Sequence, residues 1–79
     1  MIKEEKSIKL GYTSGSSDKV YIIDLLGSGG EWQVIARYGK RYNYKTTVNK
    51  TPKPCSFGEA EEIFQELIRG KLRKGYIEE

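Results

Sequence analysis

Lys19-Val20-Tyr21-Ile22-Ile23-Asp24-Leu25-Leu26 and Glu31-Trp32-Gln33-Val34-Ile35-Ala36-Arg37-Tyr38, separated by Gly27-Ser28-Gly29-Gly30, decide the fold of this chain. The first run is rich in Val, Tyr, Ile and Leu, and its near-continuous apolarity suits a central strand touched on both faces. At a period of two, Tyr21, Ile23 and Leu25 line one face and Val20, Ile22, Asp24 and Leu26 the other. In the second run Trp32, Val34 and Ala36 alternate with Gln33, Ile35 and Arg37. Two such runs joined by a short Gly-rich turn make an antiparallel hairpin.

On the N-terminal side, Ile8, Leu10 and Tyr12 alternate with polar residues and read as a strand with one buried face. Thr13-Ser14-Gly15-Ser16-Ser17-Asp18 is a turn, and the charged Met1–Lys6 is expected to be frayed or only loosely paired. On the C-terminal side, Gly39 is expected to end the strand or bulge it. Lys45–Lys50 is short and β-branched and reads as a fourth strand. Pro52 and Pro54 stop sheet pairing. Ser56 and Glu59 form a candidate capping box, the Glu59 carboxylate reaching back to the Ser56 amide. The stripe Ala60, Ile63, Phe64, Leu67, Ile68 and Leu72 follows at helical spacing and needs a sheet to cover it. Gly75 stands where a helix-ending glycine belongs, with Tyr76 able to fold back on the last turn. Gly70, inside the helix, costs about 1 kcal/mol against alanine, which suggests close packing or a ligand there. The expected architecture is α+β: a four-stranded, mainly antiparallel sheet with one long C-terminal helix packed across it.

Residues 1–79 are expected to form one domain with one core, and a chain this short buries only about 60–65% of its unfolded surface, so modest stability is expected. The single Cys55 permits no internal disulfide, and with no His in the chain a zinc site is not expected. No metal or other cofactor is called for. With neither disulfide nor signal peptide, the chain is expected to be intracellular. Its longest apolar run, Val20–Leu26, falls far short of the roughly 20 residues that span a membrane, so no membrane partner is expected.

Charge is unevenly spread. The net charge is +3, yet residues 37–58 carry six Lys or Arg and no Asp or Glu. The centre of that stretch, Arg37-Tyr38-Gly39-Lys40-Arg41-Tyr42-Asn43-Tyr44-Lys45, interleaves cations with aromatic rings. Cations bind phosphate and flat rings stack on bases, so nucleic acid is the first partner to consider. A basic, Tyr-bearing strand with one solvated face has the same composition. Gly27-Ser28-Gly29-Gly30 is a turn rather than a phosphate loop, because it leads into a strand and no Lys-Ser/Thr follows.

Four stretches together resemble a WGR domain, the module of poly(ADP-ribose) polymerases and several bacterial proteins named for a central Trp-Gly-Arg. They are Ser17–Tyr21 at the start of the first long strand, Trp32–Arg41 (WQVIARYGKR), Lys45–Pro54, and Ser56–Tyr76 for the helix with its closing Lys71-Leu72-Arg73-Lys74-Gly75-Tyr76. The match covers nearly everything after residue 16 and lies in order and spacing rather than in any single motif. Tyr38-Gly39-Lys40 stands in place of Trp-Gly-Arg, and Tyr42 and Asn43 stand where the family often has a second glycine. The resemblance implies DNA binding, a stacking role for Tyr38, and a Gly39 that keeps the strand end open to the ligand. Tyrosine offers less area than tryptophan, and Lys40 acts as a point charge where arginine is a planar fork.

The candidate nucleic-acid-binding residues are therefore Arg37, Tyr38, Gly39, Lys40, Arg41, Tyr42, Tyr44 and Lys45, with Lys71 and Lys74 extending the patch if the helix end lies beside them. Each has a plainer role: a solvated strand face for the cations, cover of the hairpin edge for Tyr42 and Tyr44, and complement to the helix dipole for Lys71 and Lys74. Trp32, in phase with Val34 and Ala36, reads as a core anchor. Catalysis has little to stand on: Cys55 has no evident base, and the helix acids Glu59, Glu62 and Glu66 follow the rhythm of a solvated face. The expected function is a non-enzymatic DNA-binding module working by phosphate contacts and stacking, with duplex ends and nicks as one form of target. The alternative is a protein-interaction module that does not touch nucleic acid.

Overall fold

The computed structural model describes residues 3–51 and 53–79. The deciding hairpin forms in the expected register: β2 (Ser17–Ser28) pairs antiparallel with β3 (Glu31–Lys40), from Ser28↔Glu31 out to Lys19↔Lys40. Gly29 and Gly30, at φ 59° and 83°, supply the two positive backbone angles that a two-residue turn of this hand needs. β1 (Lys3–Ser14) pairs with β2, and β4 (Asn43–Asn49) with β3, both antiparallel. β1 thus begins inside the stretch expected to fray, because Lys3 and Glu4 pair opposite Gly27 and Leu26. Met1, Ile2 and Pro52, and the expectations attached to them, lie outside the described residues.

The sheet has five strands in the order β4-β3-β2-β1-β5, one more than the sequence predicts. The addition is β5 (Ile77–Glu78), which pairs with Leu10 and Gly11 on the outer edge of β1. A two-residue strand has no periodicity to detect; it forms because the turn after the helix aims the chain at that edge.

Helix α1 (Phe57–Arg73) starts from Ser56, whose Oγ accepts the Glu59 amide at 3.3 Å. The Glu59 carboxylate meets the Ser56 hydroxyl rather than its amide, so half of the expected capping box forms. At the other end, Gly75 (φ 104°) lets its own amide bond Leu72 O and the Tyr76 amide bond Lys71 O, a Schellman closure. Ala60 and Phe64 are buried against Leu10, Tyr21, Ile23, Leu25, Val34 and Ala36, with Ile63, Leu67 and Ile68 packed around them. Full burial of Leu10, Ile23 and Leu25 is worth roughly 1.5–3 kcal/mol each. Leu72, expected in the stripe, is exposed, and its neighbour Lys71 lies over the buried Tyr21 ring in its place. Gly70 faces open space, so neither close packing nor a crowded neighbour explains it.

The face of β2 away from the helix also buries Val20, Ile22 and Asp24. Opposite Ile22 stand Lys9 on β1 and Arg37 on β3, residues with long apolar stems. Asp24 is held by the Ser7 hydroxyl at 2.6 Å and the Arg37 guanidinium at 3.0 Å.

Candidate nucleic-acid interface

The helix is shorter than the sheet it covers. Seventeen helical residues span about 26 Å, whereas twelve strand residues span about 40 Å. Trp32 lies near the helix start, its ring against Phe57 at 4.9 Å. The uncovered end is therefore the other one, where the β1–β2 and β3–β4 turns project together.

On the helix face of that end, four tyrosines form the floor. Tyr21 stacks on Tyr38 (5.2 Å between centroids, 14° between planes), and Tyr76 folds back between Tyr12 (5.3 Å) and Tyr21 (6.4 Å, edge-on). Over this floor the Lys71 amine sits 4.3 Å from the Tyr21 ring and 5.5 Å from Tyr76, and the Lys19 amine 5.7 Å from Tyr12. Tyr12, Lys19, Lys71, Lys74 and Tyr76 line a hollow of about 340 Å³. A second hollow of about 390 Å³ lies between the two turns, with Ser16, Lys19, Lys40, Arg41 and Tyr42 on its walls. Lys19 belongs to both, which makes the patch continuous.

Cations dominate this end, and Asp18, also on the wall of the second hollow, is paired with Arg41. Lys19 and Lys40 are directly opposed across the β2–β3 pair, an arrangement of like charges that destabilises a sheet. None of Lys19, Lys40, Lys71 and Lys74 makes an ion pair among the described residues. The Lys71 amine is pushed below its ordinary pKa, first by burial and then by Lys74, Lys50 and Lys19. Burial, with the neighbouring phenols, raises Tyr21 (beside Tyr38 and Tyr76) and Tyr76 (beside Tyr12), so both rings stay neutral at physiological pH. The helix dipole accounts for cations at Lys71 and Lys74. It does not account for Lys19 and Lys40, which arrive on strands.

The predicted residues divide. Lys40, Tyr42, Lys71 and Lys74 come together at this end, and Tyr42 is 94% exposed at the tip of the β3–β4 turn. Tyr38 lies in the floor with one ring face taken by Tyr21. Gly39 (φ 149°) does sit at an irregularity in the β3–β4 register, but the space over it holds the backbone of Tyr44, which a Cβ would meet at 2.8 Å. Room for a neighbouring strand, not for a ligand, is what Gly39 supplies. Tyr44 and Lys45 are exposed along β4. Arg37 points to the opposite face and is paired with the buried Asp24, its Nε buried and without a partner among the described residues.

Arg41 is the largest departure from a phosphate-facing group. Its Nη1 and Nη2 each donate to the Glu79 carboxylate at 2.7 Å, its Nε to Asp18 at 2.7 Å, and its amide bonds the Asp18 carbonyl at 3.0 Å. Bound on both sides, its guanidinium is held above its already high pKa, chiefly by Glu79 and then by Asp18.

Sequence reasoning missed Lys19, Tyr12, Tyr21 and Tyr76 as members of the site. The first three share the period-two phase of the buried face and stand toward the turn end of their strands, where the last turn of the helix brings Lys71 over Tyr21. Among the described residues no cluster of acids, Cys or His could hold a metal ion, and no helix is long and apolar enough to cross a membrane. No protein-family model, curated protein or solved structure matches this chain.

Proposed function

We propose that this chain is a small nucleic-acid-binding module that takes DNA by its phosphate backbone at the uncovered end of the sheet. The supporting observation is the continuous row Lys19, Lys40, Lys71 and Lys74, free of ion pairs among the described residues and laid around a tyrosine floor. Unneutralised lysines held against each other by strand pairing and helix packing gain most from an anion that bridges them. With one face of Tyr38 taken by Tyr21, base or sugar stacking falls to Tyr42, whose ring is free on both sides of the turn. This keeps the DNA-binding role that the resemblance to WGR modules implies and moves its ring from Tyr38 to Tyr42.

Fluorescence anisotropy at low salt tests it, with a 5′-phosphorylated duplex, the same duplex without the phosphate, a single strand and a sealed hairpin lacking free ends. Binding should weaken steeply with salt, at a log–log slope of roughly −0.9 per phosphate neutralised on duplex DNA. Equal affinity for all four probes means backbone binding alone, and preference for free or phosphorylated ends means break recognition. Failure to bind any probe overturns the proposal in favour of a protein-interaction module.

A further inference from the structure

Glu79 lies across the sheet face opposite the helix, carried there by β5. Its amide bonds the Lys9 carbonyl at 2.8 Å, and its carboxylate takes both arms of the Arg41 fork while standing 4.0 Å from the Lys9 amine. Gly11 lies directly beneath: a Cβ there would come within 1.8 Å of Glu79 Oε2. The fold thus leaves a side-chain-free floor, the two Nη arms of a planar fork and a second cation around one small anion, while the Nε of the same guanidinium stays on Asp18. A carboxylate and a phosphate present the same two-oxygen edge to such a fork. The segment that carries it is short, since β5 pairs through two residues at a sheet edge and Ile77 is 70% exposed. The site also adjoins the interface, because Arg41 lies between Lys40 and the exposed Tyr42 in the hollow between the turns.

We propose that Arg41 and Lys9, above Gly11, form a phosphate site that the Glu79 carboxylate fills in the free protein and that a nucleic-acid backbone phosphate takes by exchange. This rests on the nucleic-acid function proposed above. Glu79 then acts as an internal competitor: each binding event must lift it, so the free chain binds more weakly than its cations allow, and Arg41 contributes to salt dependence only once the carboxylate is gone.

The test compares wild type, Glu79→Gln, Glu78→Gln and the double variant Arg41→Gln/Glu79→Gln by anisotropy with one duplex across a salt series, folding being checked by thermal unfolding. Glu79→Gln should tighten binding roughly threefold to tenfold at low salt and steepen the log–log slope by about 0.9, one additional phosphate. Glu78→Gln changes the net charge equally without touching Arg41 and should leave the slope where it was; Arg41→Gln/Glu79→Gln should lose the gain. Binding by Glu79→Gln alone, with wild type silent, supports full occlusion. Equal slopes for Glu79→Gln and wild type would make the contact purely structural and overturn the exchange while leaving DNA binding intact. No binding by any variant overturns both.

Discussion

The two ends of the sheet are closed by opposite means. At the end where the helix starts, Trp32 lies over Gly27, which has no side chain because a Cβ would meet the indole at 2.7 Å. Phe57 packs edge-on against the same indole, and two backbone hydrogen bonds with Cys55 (2.8 and 3.0 Å) fix the Trp32 main chain. At the far end the rings of Tyr12, Tyr21 and Tyr76 lie under lysine side chains, with Tyr38 stacked on Tyr21. An aromatic packed on carbon serves stability. An aromatic floor under lysine amines keeps charge at the surface, which is what the proposed DNA-binding role requires.

Substitutions at each end break that comparison in different ways. Trp32→Ala should cost about 3 kcal/mol, because it empties the space over Gly27 and frees Phe57. Chemical denaturation should show a lower midpoint, and any residual folded fraction should still bind DNA. The double reversal Lys19→Glu/Lys74→Glu should weaken duplex binding by roughly 30-fold or more while leaving the midpoint nearly unchanged. Lys53→Glu/Arg69→Glu, with the same change in net charge away from the hollows, should weaken it far less. An equal loss from both pairs would mean that overall charge, not the patch, binds DNA. Tyr42→Ala should reduce affinity by about 1 kcal/mol, or roughly fivefold, with stability unchanged, since the ring contacts solvent on the free protein.

A smaller effect is expected at Gly70. A Cβ there meets nothing within 4 Å, so Gly70→Ala should stabilise the helix by up to about 1 kcal/mol and leave binding intact. The smallest effect is on pH dependence. Arg41 holds the Glu79 carboxylate below its ordinary pKa of 4.5, so its contribution is present above that pH and is lost as pH falls through the lower folded-state value. Thermal midpoints measured down the acid limb should therefore fall less for Glu79→Gln than for wild type.

Much of the fold was written in period-two and helical rhythm. Tyr21, Ile23 and Leu25 face the helix as their alternation requires, and Trp32 is an anchor because it keeps phase with Val34 and Ala36. Ser56, Gly75 and the Gly29–Gly30 turn stand where their backbone chemistry demands. Other features had no local signal. β5 depends on where the Schellman turn aims the chain, and although near-continuous apolarity marked β2 as touched on both faces, what covers Val20 and Ile22 depends on neighbours in space. The basic run from Arg37 to Lys45 looked like one patch because its residues are consecutive, yet strand alternation and the β3–β4 turn send Arg37 to Asp24 and Arg41 to Glu79 and Asp18. Lys19, remote in sequence, joins Lys40 through strand register instead.

Amide chemical-shift mapping with a short duplex tests the division of labour between the ends most directly. Perturbations should cluster at Lys19, Lys40, Tyr42, Lys71, Lys74 and Tyr76, with Trp32, Phe57 and Glu59 silent. Shifts centred on the Trp32 end, or spread evenly over all exposed lysines, would contradict the assignment of binding to the tyrosine-floored end.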